Sequence, residues 1–155
     1  MNTQSIKFKV AAVAMLGLFV AAPALALTRD EAKVAKISGQ AEYQKMGASD
    51  WAKLEIGMVL SEGDAVKTAP KSEVVMDLKG ANKTAQITVR QSSKFVFKTF
   101  QHDSASQVDT TLLDISLGAV LVKAEKLVGS SKFEVKTPTS IVGIRGTTFE
   151  VQVAK

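Results

Sequence analysis

From Val34 onward, apolar residues recur at every second position in one short segment after another, a spacing that only an extended strand gathers onto one face. In SEVVMDLKG, Val74, Met76 and Leu78 fall together, with Glu73, Asp77 and Lys79 opposite. TAQITVR sets Ala85, Ile87 and Val89 against Gln86, Thr88 and Arg90, and KFVFK repeats the pattern with Phe95 and Phe97. LLDISLGAVLVKAE, KFEVKT and TTFEVQV continue it, the last with Phe149, Val151 and Val153 on one face. Turn-forming clusters separate these runs: SEGD at 61–64, KGANK at 79–83 and VGSSK at 128–132. The segments flanking KGANK read as a hairpin.

The expected fold is therefore all-β: a twisted β-solenoid-like or sandwich-like single domain of about ten short strands. Glycine before a short apolar run recurs in IGMVL at 56–60 and LGAVL at 117–121, as successive corners of a coiled β-structure would give. Two segments are expected to depart from strand. Thr28 reads as an N-cap for a helical turn over 28–33, with acidic residues just after it. QHDSASQVDT, residues 101–110, reads as an exposed polar loop.

The first 26 residues have a different character. Lys7 and Lys9 precede an uncharged run, and Ala24-Leu25-Ala26 supplies the small residues read by signal peptidase. Residues 1–26 are expected to be a signal peptide cleaved after Ala26, leaving 27–155 as an exported, periplasmic domain with no stable membrane span. An uncleaved anchor is the competing reading, since the run approaches spanning length. The alanine content, Gly17 and Pro23 make it only modestly hydrophobic. No cysteine is present for lipid attachment or disulfides.

Charge and inventory limit the chemistry. The formal charge of +5 falls once Lys7 and Lys9 are removed, and the remaining basic residues are dispersed. Nucleic acid is not an expected partner. With one histidine, His102, and no cysteine, thiolate or His-rich metal sites and Cys/His catalysis are out of reach. His102, in the polar loop, reads as a solvated residue. No metal or cofactor is expected, and no acidic pair stands out as a glycosidase dyad.

Trp51 and Tyr43 offer two readings: a stacking platform for a sugar or a partner side chain, or, for Trp51, a cap on the core. In TPTSIVGIRGTTFEVQV, Thr137-Pro138 favours extended geometry at a strand start or edge. Gly143 and Gly146 then allow a bend or bulge before the last strand. Arg145 between them either satisfies carbonyls or a carboxylate at that bend or contacts an anion or partner. GIRG lacks the third glycine of a dinucleotide fingerprint and the Lys-Ser/Thr of a phosphate loop. Gly57, Gly63 and Asp64 read as turn builders.

FEVKTPTSIVGIRGTTFEVQV resembles the signature end of the FecR domain family, the periplasmic domain of the iron-dicitrate regulator and its relatives. WAKLEIGMVLSEGDAVKTAPKSEVVMDLKG is similar to the same family's Trp-x-x-Leu, Gly-x-x-Leu, Gly-Asp and alternating-strand pattern, and LLDISLGAVLVKAEK to its glycine-containing segment. The resemblance covers roughly 34–153 and matches at Thr137, Pro138, Gly143, Arg145, Gly146 and Thr147. It implies a twisted, solenoid-like β-domain making protein contacts in the envelope, without catalysis. The family's regulators carry a cytoplasmic anti-sigma segment and a membrane span before this domain, and a transporter-binding module after it. Neither is expected in this chain, so only the periplasmic module is carried over. An envelope protein, or an envelope polysaccharide met through Trp51 and Tyr43, is the expected partner.

Overall fold

The computed structural model describes residues 27–29, 31–79, 84–124, 127, 129–144, 146 and 148–153. Among them there is no helix. Thirteen strands form: β1 (Leu27–Arg29), β2 (Glu31–Ser38), β3 (Ala41–Gln44), β4 (Ala52–Lys53), β5 (Val59–Leu60), β6 (Ala65–Thr68), β7 (Glu73–Lys79), β8 (Thr84–Val89), β9 (Lys94–Asp103), β10 (Val108–Ala124), β11 (Lys132–Lys136), β12 (Ile141–Ile144) and β13 (Thr148–Val153). The period-two segments are the long strands, as their alternation requires: β7 buries Val74, Met76 and Leu78, and β11 buries Phe133 and Val135. The hairpin expected around KGANK forms, with β7 and β8 paired from Val74↔Val89 to Lys79↔Thr84.

The strands make one sheet folded across itself. In one half the order is β4-β3-β6-β9-β10, extended by β11 and β12; in the other it is β5-β2-β7-β8-β10, with β13 on the far side of β10. The pairing is antiparallel except between β10 and β11. Five chain passes from one half into the other lie in the same order in both: β4–β5, β2–β3, β6–β7, β8–β9 and the single long strand β10. Each has one residue of left-handed backbone between its halves, at Gly57 (φ 88°), Gly39 (82°), Lys71 (57°), Ser92 (52°) and Gly118 (84°). Neighbouring passes are joined there by backbone bonds, Ala69 N–H to Gln40 C=O (3.0 Å), Ser92 N–H to Ala69 C=O (3.1 Å) and Arg90 N–H to Ala119 C=O (2.9 Å). The bends form a shared crease, and the inward faces of both halves meet in one apolar cluster that includes Val34, Val66, Met76, Phe97, Leu113 and Val122. The result is nearer to a sandwich than to a stack of parallel coils.

A bulge sets the phase of β9. Leu113 pairs with Phe97 and Leu112 with Thr99, which leaves Lys98 without an opposite residue. Burial passes from Phe95 and Phe97 to Phe100 and His102, a change of parity that strict alternation forbids. Phe97 stacks on Phe100 with centroids 5.5 Å apart and meets Phe95 edge-on at 5.1 Å.

Two expectations are overturned here. Residues 28–33 form no helical turn: β1 pairs with β9 through Thr28↔His102, and β2 begins at Glu31, so sheet pairing overrides the capping preference. The 101–110 segment is not an open loop: β9 runs to Asp103, β10 starts at Val108, and only 104–107 turn. His102 is correspondingly buried, its Nδ1 2.6 Å from Asp109 Oδ1 across the hairpin.

Candidate functional site

The SEGD turn ties two loops together. Asp64, buried, accepts hydrogen bonds at Oδ2 from Ser61 N–H (3.0 Å) and the Lys45 ammonium (2.7 Å), and at Oδ1 from Met46 N–H (3.1 Å). Gly63 (φ 88°) packs so closely on Met46 that a Cβ would lie 2.7 Å from Met46 Cγ. Gly57 bends at the crease with open space around it.

The C-terminal signature divides into parts. Thr137 and Pro138 occupy the tight turn of the β11–β12 hairpin, closed by Thr137 N–H to Ser140 C=O (2.8 Å) and by Ser140 N–H to Thr137 Oγ1 (3.0 Å). Pro138 presets the φ that the first central turn position needs. Gly143 is not at a bend: it lies inside β12, opposite Glu134, with no left-handed φ and nothing within 4 Å of where a Cβ would stand. Gly146 (φ 79°) carries the bend between β12 and β13. Arg145 and Thr147 lie outside the described residues.

Trp51 and Tyr43 are directed to opposite faces. Tyr43 pairs with buried Val66 and packs against the apolar cluster. Trp51 is half-buried, is not among the residues of the cluster or those packed on it, and takes the Lys67 ammonium 4.4 Å and the Lys94 ammonium 5.4 Å from its ring centroid. Neither the core cap nor the Trp51–Tyr43 platform describes this arrangement. The lysines come from adjacent strands, Lys67 standing opposite Lys94, and Lys67 also pairs with Glu42 on β3 (2.6 Å). Among the described residues no carboxylate pairs with Lys94. Cations over an indole face are held by its quadrupole, which orders both the ring and the ammonium groups.

Beside this cluster runs a groove of about 640 Å³. Its apolar lining includes Ile37, Leu54, Ile56 and Ala69, and Lys53 and Lys67 also line it. Ile56 is 64% exposed. Lys67 therefore touches both the groove and the Trp51 ring. Alternation could have flagged Lys67 and Lys94 as outward residues, but their apposition depends on β6–β9 pairing, which local sequence does not encode.

Across the crease, Arg90 gathers two carboxylates, Glu73 at 2.8 Å and Glu150 at 3.4 Å, from β7 and β13. The Glu73 hydrogen bond, opposed by a little desolvation and helped by both charges, raises the already high pKa of the guanidinium. Among the described residues no group of three His, Cys, Asp or Glu side chains is placed to hold a metal ion, and no helix is long and apolar enough to cross a membrane.

The folded sheet and its motif-built turns, with an outward tryptophan–lysine cluster beside an apolar groove, define an all-β module of crease-and-sandwich type. The sequence model of the FecR protein family matches residues 58–155, and the chain belongs to that family. Membership points to an envelope-associated, signalling-related module. No curated protein and no solved structure matches the chain significantly.

Proposed function

We propose that this protein is an exported, non-catalytic binding module of the bacterial envelope, released into the periplasm after loss of residues 1–26, with 27–155 as its single domain. Its task is to contact another envelope protein in an accessory signalling role. The observation that carries this reading is Trp51, the one tryptophan, held outside the core beside a groove with an exposed Ile56. Large aromatic residues fixed at the surface next to apolar depressions are the usual energetic centres of protein contacts. The motif residues Gly63, Asp64, Thr137 and Pro138 serve as architecture that keeps this face in shape.

The test is capture by immobilised protein from envelope extract of the source cells, with Trp51→Ala and Lys67→Glu as folded controls. A protein recovered by wild type and lost with both controls supports the reading; equal recovery by all three removes this face from it.

A second reading is favoured by Lys94, whose ammonium sits over Trp51 without an acid partner among the described residues: an acidic envelope polysaccharide could take it. Saturable change of Trp51 fluorescence with a uronate-containing polymer, lost in Lys94→Met, would support it. A neutral glucan is the contrast, because it offers no negative charge to the Lys67 and Lys94 ammonium groups beside the ring.

A further inference from the structure

Five strands leave an open edge on the two halves of the sheet, and four are guarded. β4 and β5 have two residues each, β1 has three, and β13 carries exposed Glu150 and Gln152, Glu150 being held by Arg90. Short or charged edges of this kind resist pairing with foreign strands. β12, Ile-Val-Gly-Ile, has neither charge nor proline, and Ile141 and Val142 are 62% and 38% exposed. Among the described residues it pairs only with β11.

The hydrogen-bonding groups on that edge follow from the hairpin. Its closing pair is Thr137–Ser140, and bonded and non-bonded pairs alternate along an antiparallel ladder. Val142 and Ile144 therefore direct their N–H and C=O groups to β11, while those of Ile141 and Gly143 face outward. Two donors and two acceptors stand ready for a further strand.

We propose that this strand is β12 of a second copy of the chain, antiparallel and centred on Val142, giving a two-fold dimer with a sheet continuous across both molecules. The register is chosen by size and charge. Centred on Val142, Ile141 of each copy stands opposite Gly143 of the other, where a Cβ would meet nothing within 4 Å, so bulk fills what glycine leaves open. One strand further out, Glu134 lies opposite Gly143 and Lys136 opposite Ile141 within each hairpin. In this register Glu134 of one copy shares a row with Lys136 of the other at three strand spacings, roughly 14 Å, a weak long-range attraction that the two-fold axis makes twice. The neighbouring registers fail on both counts. Centred on Gly143, two glycines face each other and leave a gap, with Glu134 in line with Glu134; centred on Ile141, Gly143 loses the isoleucine that would cover it, and Lys136 is in line with Lys136. Val142 meets its own copy on the core side, covering surface the apolar cluster leaves exposed.

Sedimentation velocity of the purified protein over a wide concentration series tests this. A reversible monomer–dimer equilibrium is expected. Gly143→Pro removes one outward N–H without touching the bonds to β11, and the open space around Gly143 admits the ring. It should be monomeric throughout, with a thermal midpoint equal to that of wild type measured at a dilution where wild type is also monomeric. At low ionic strength Glu134→Lys and Lys136→Glu should each weaken the dimer by up to about threefold, an effect that high salt removes, and the double exchange should restore it. Should Gly143→Pro fail to fold, the exchange series decides alone. A wild type monomeric at every concentration, a dimer that survives Gly143→Pro, or one indifferent to the charge exchange each overturns the proposal.

Discussion

The hydroxyl of Ser93 occupies the place that a Cβ on Gly118 would need, and Ser93 Cα itself lies 2.5 Å from that point. The closeness serves a bond: Ser93 Oγ accepts the N–H of Ala119, the next residue, at 2.9 Å. The same device recurs two passes away, where Ser72 packs on Gly39 and accepts the N–H of Gln40 at 2.9 Å. A left-handed glycine followed by an amide that a neighbouring serine satisfies is thus built into the crease twice.

Gly118→Ala should lose stability on two grounds, a φ of 84° and collision with backbone as well as side chain. A cost of about 3 kcal/mol or more is expected. Gly57→Ala, at φ 88° but with open space, should cost only about 1 kcal/mol. Urea denaturation of the two variants checks this; equal losses would remove the packing argument.

Asp64→Ala should cost about 1–2 kcal/mol, because it removes the buried acceptor shared by the N–H groups of Ser61 and Met46 and the Lys45 ammonium. Lys45→Met leaves the carboxylate its two backbone donors and removes only a half-exposed ion pair, so a loss below about 1 kcal/mol is expected. Chemical denaturation distinguishes the two, and equal losses would assign the turn's stability to the ion pair.

Trp51→Ala should be mild, within about 1.5 kcal/mol, since the indole covers lysines outside the apolar cluster. Phe97→Ala, fully buried between two other phenylalanine rings, should cost about 3–5 kcal/mol. Thermal or urea unfolding measures both. A Trp51 loss as large as the Phe97 loss would return the indole to the core.

Asp103 is held below its ordinary value of 3.8 by the Ser106 hydroxyl first and then by the Ala105 N–H. The folded chain therefore binds this proton less readily than the unfolded chain does. The resulting support for the 104–107 turn is complete above about 3.8 and is lost as pH falls through the lower folded value. NMR titration of the Asp103 carboxyl should show the depression, and Ser106→Ala should move the midpoint back upward.

Much of this could be read from residue order. Val74, Met76 and Leu78, then Ile87 and Val89, announce paired strands because each alternates without interruption, and SEGD announces its turn because Asp64 can bond back to Ser61. What escaped was decided by partners distant in the chain. The unpaired Lys98 arises from how β9 meets β10, and it turns Phe100 and His102 inward against their local parity. Thr28 has the chemistry of a cap, yet β9 recruits it into a strand. Trp51 carries no mark telling core from surface, because the strands that set Lys67 beside Lys94 lie far apart in sequence. In the C-terminal signature, Gly146 takes the bend while Gly143, alike on paper, is strand.

The order in which the passes lie in the sheet differs from the order in which a ribosome or translocase delivers them. β10, residues 108–124, is the one pass that belongs to both halves without a break, and it is the last of the five to arrive. β1 must wait for residues 101–103 before it has a neighbour. A chain fed out from its N-terminus can thus form hairpins early, yet must keep its apolar faces uncovered until residue 124 of the 155 has emerged. The interval between delivery and closure is the period when a holding chaperone would have most to protect.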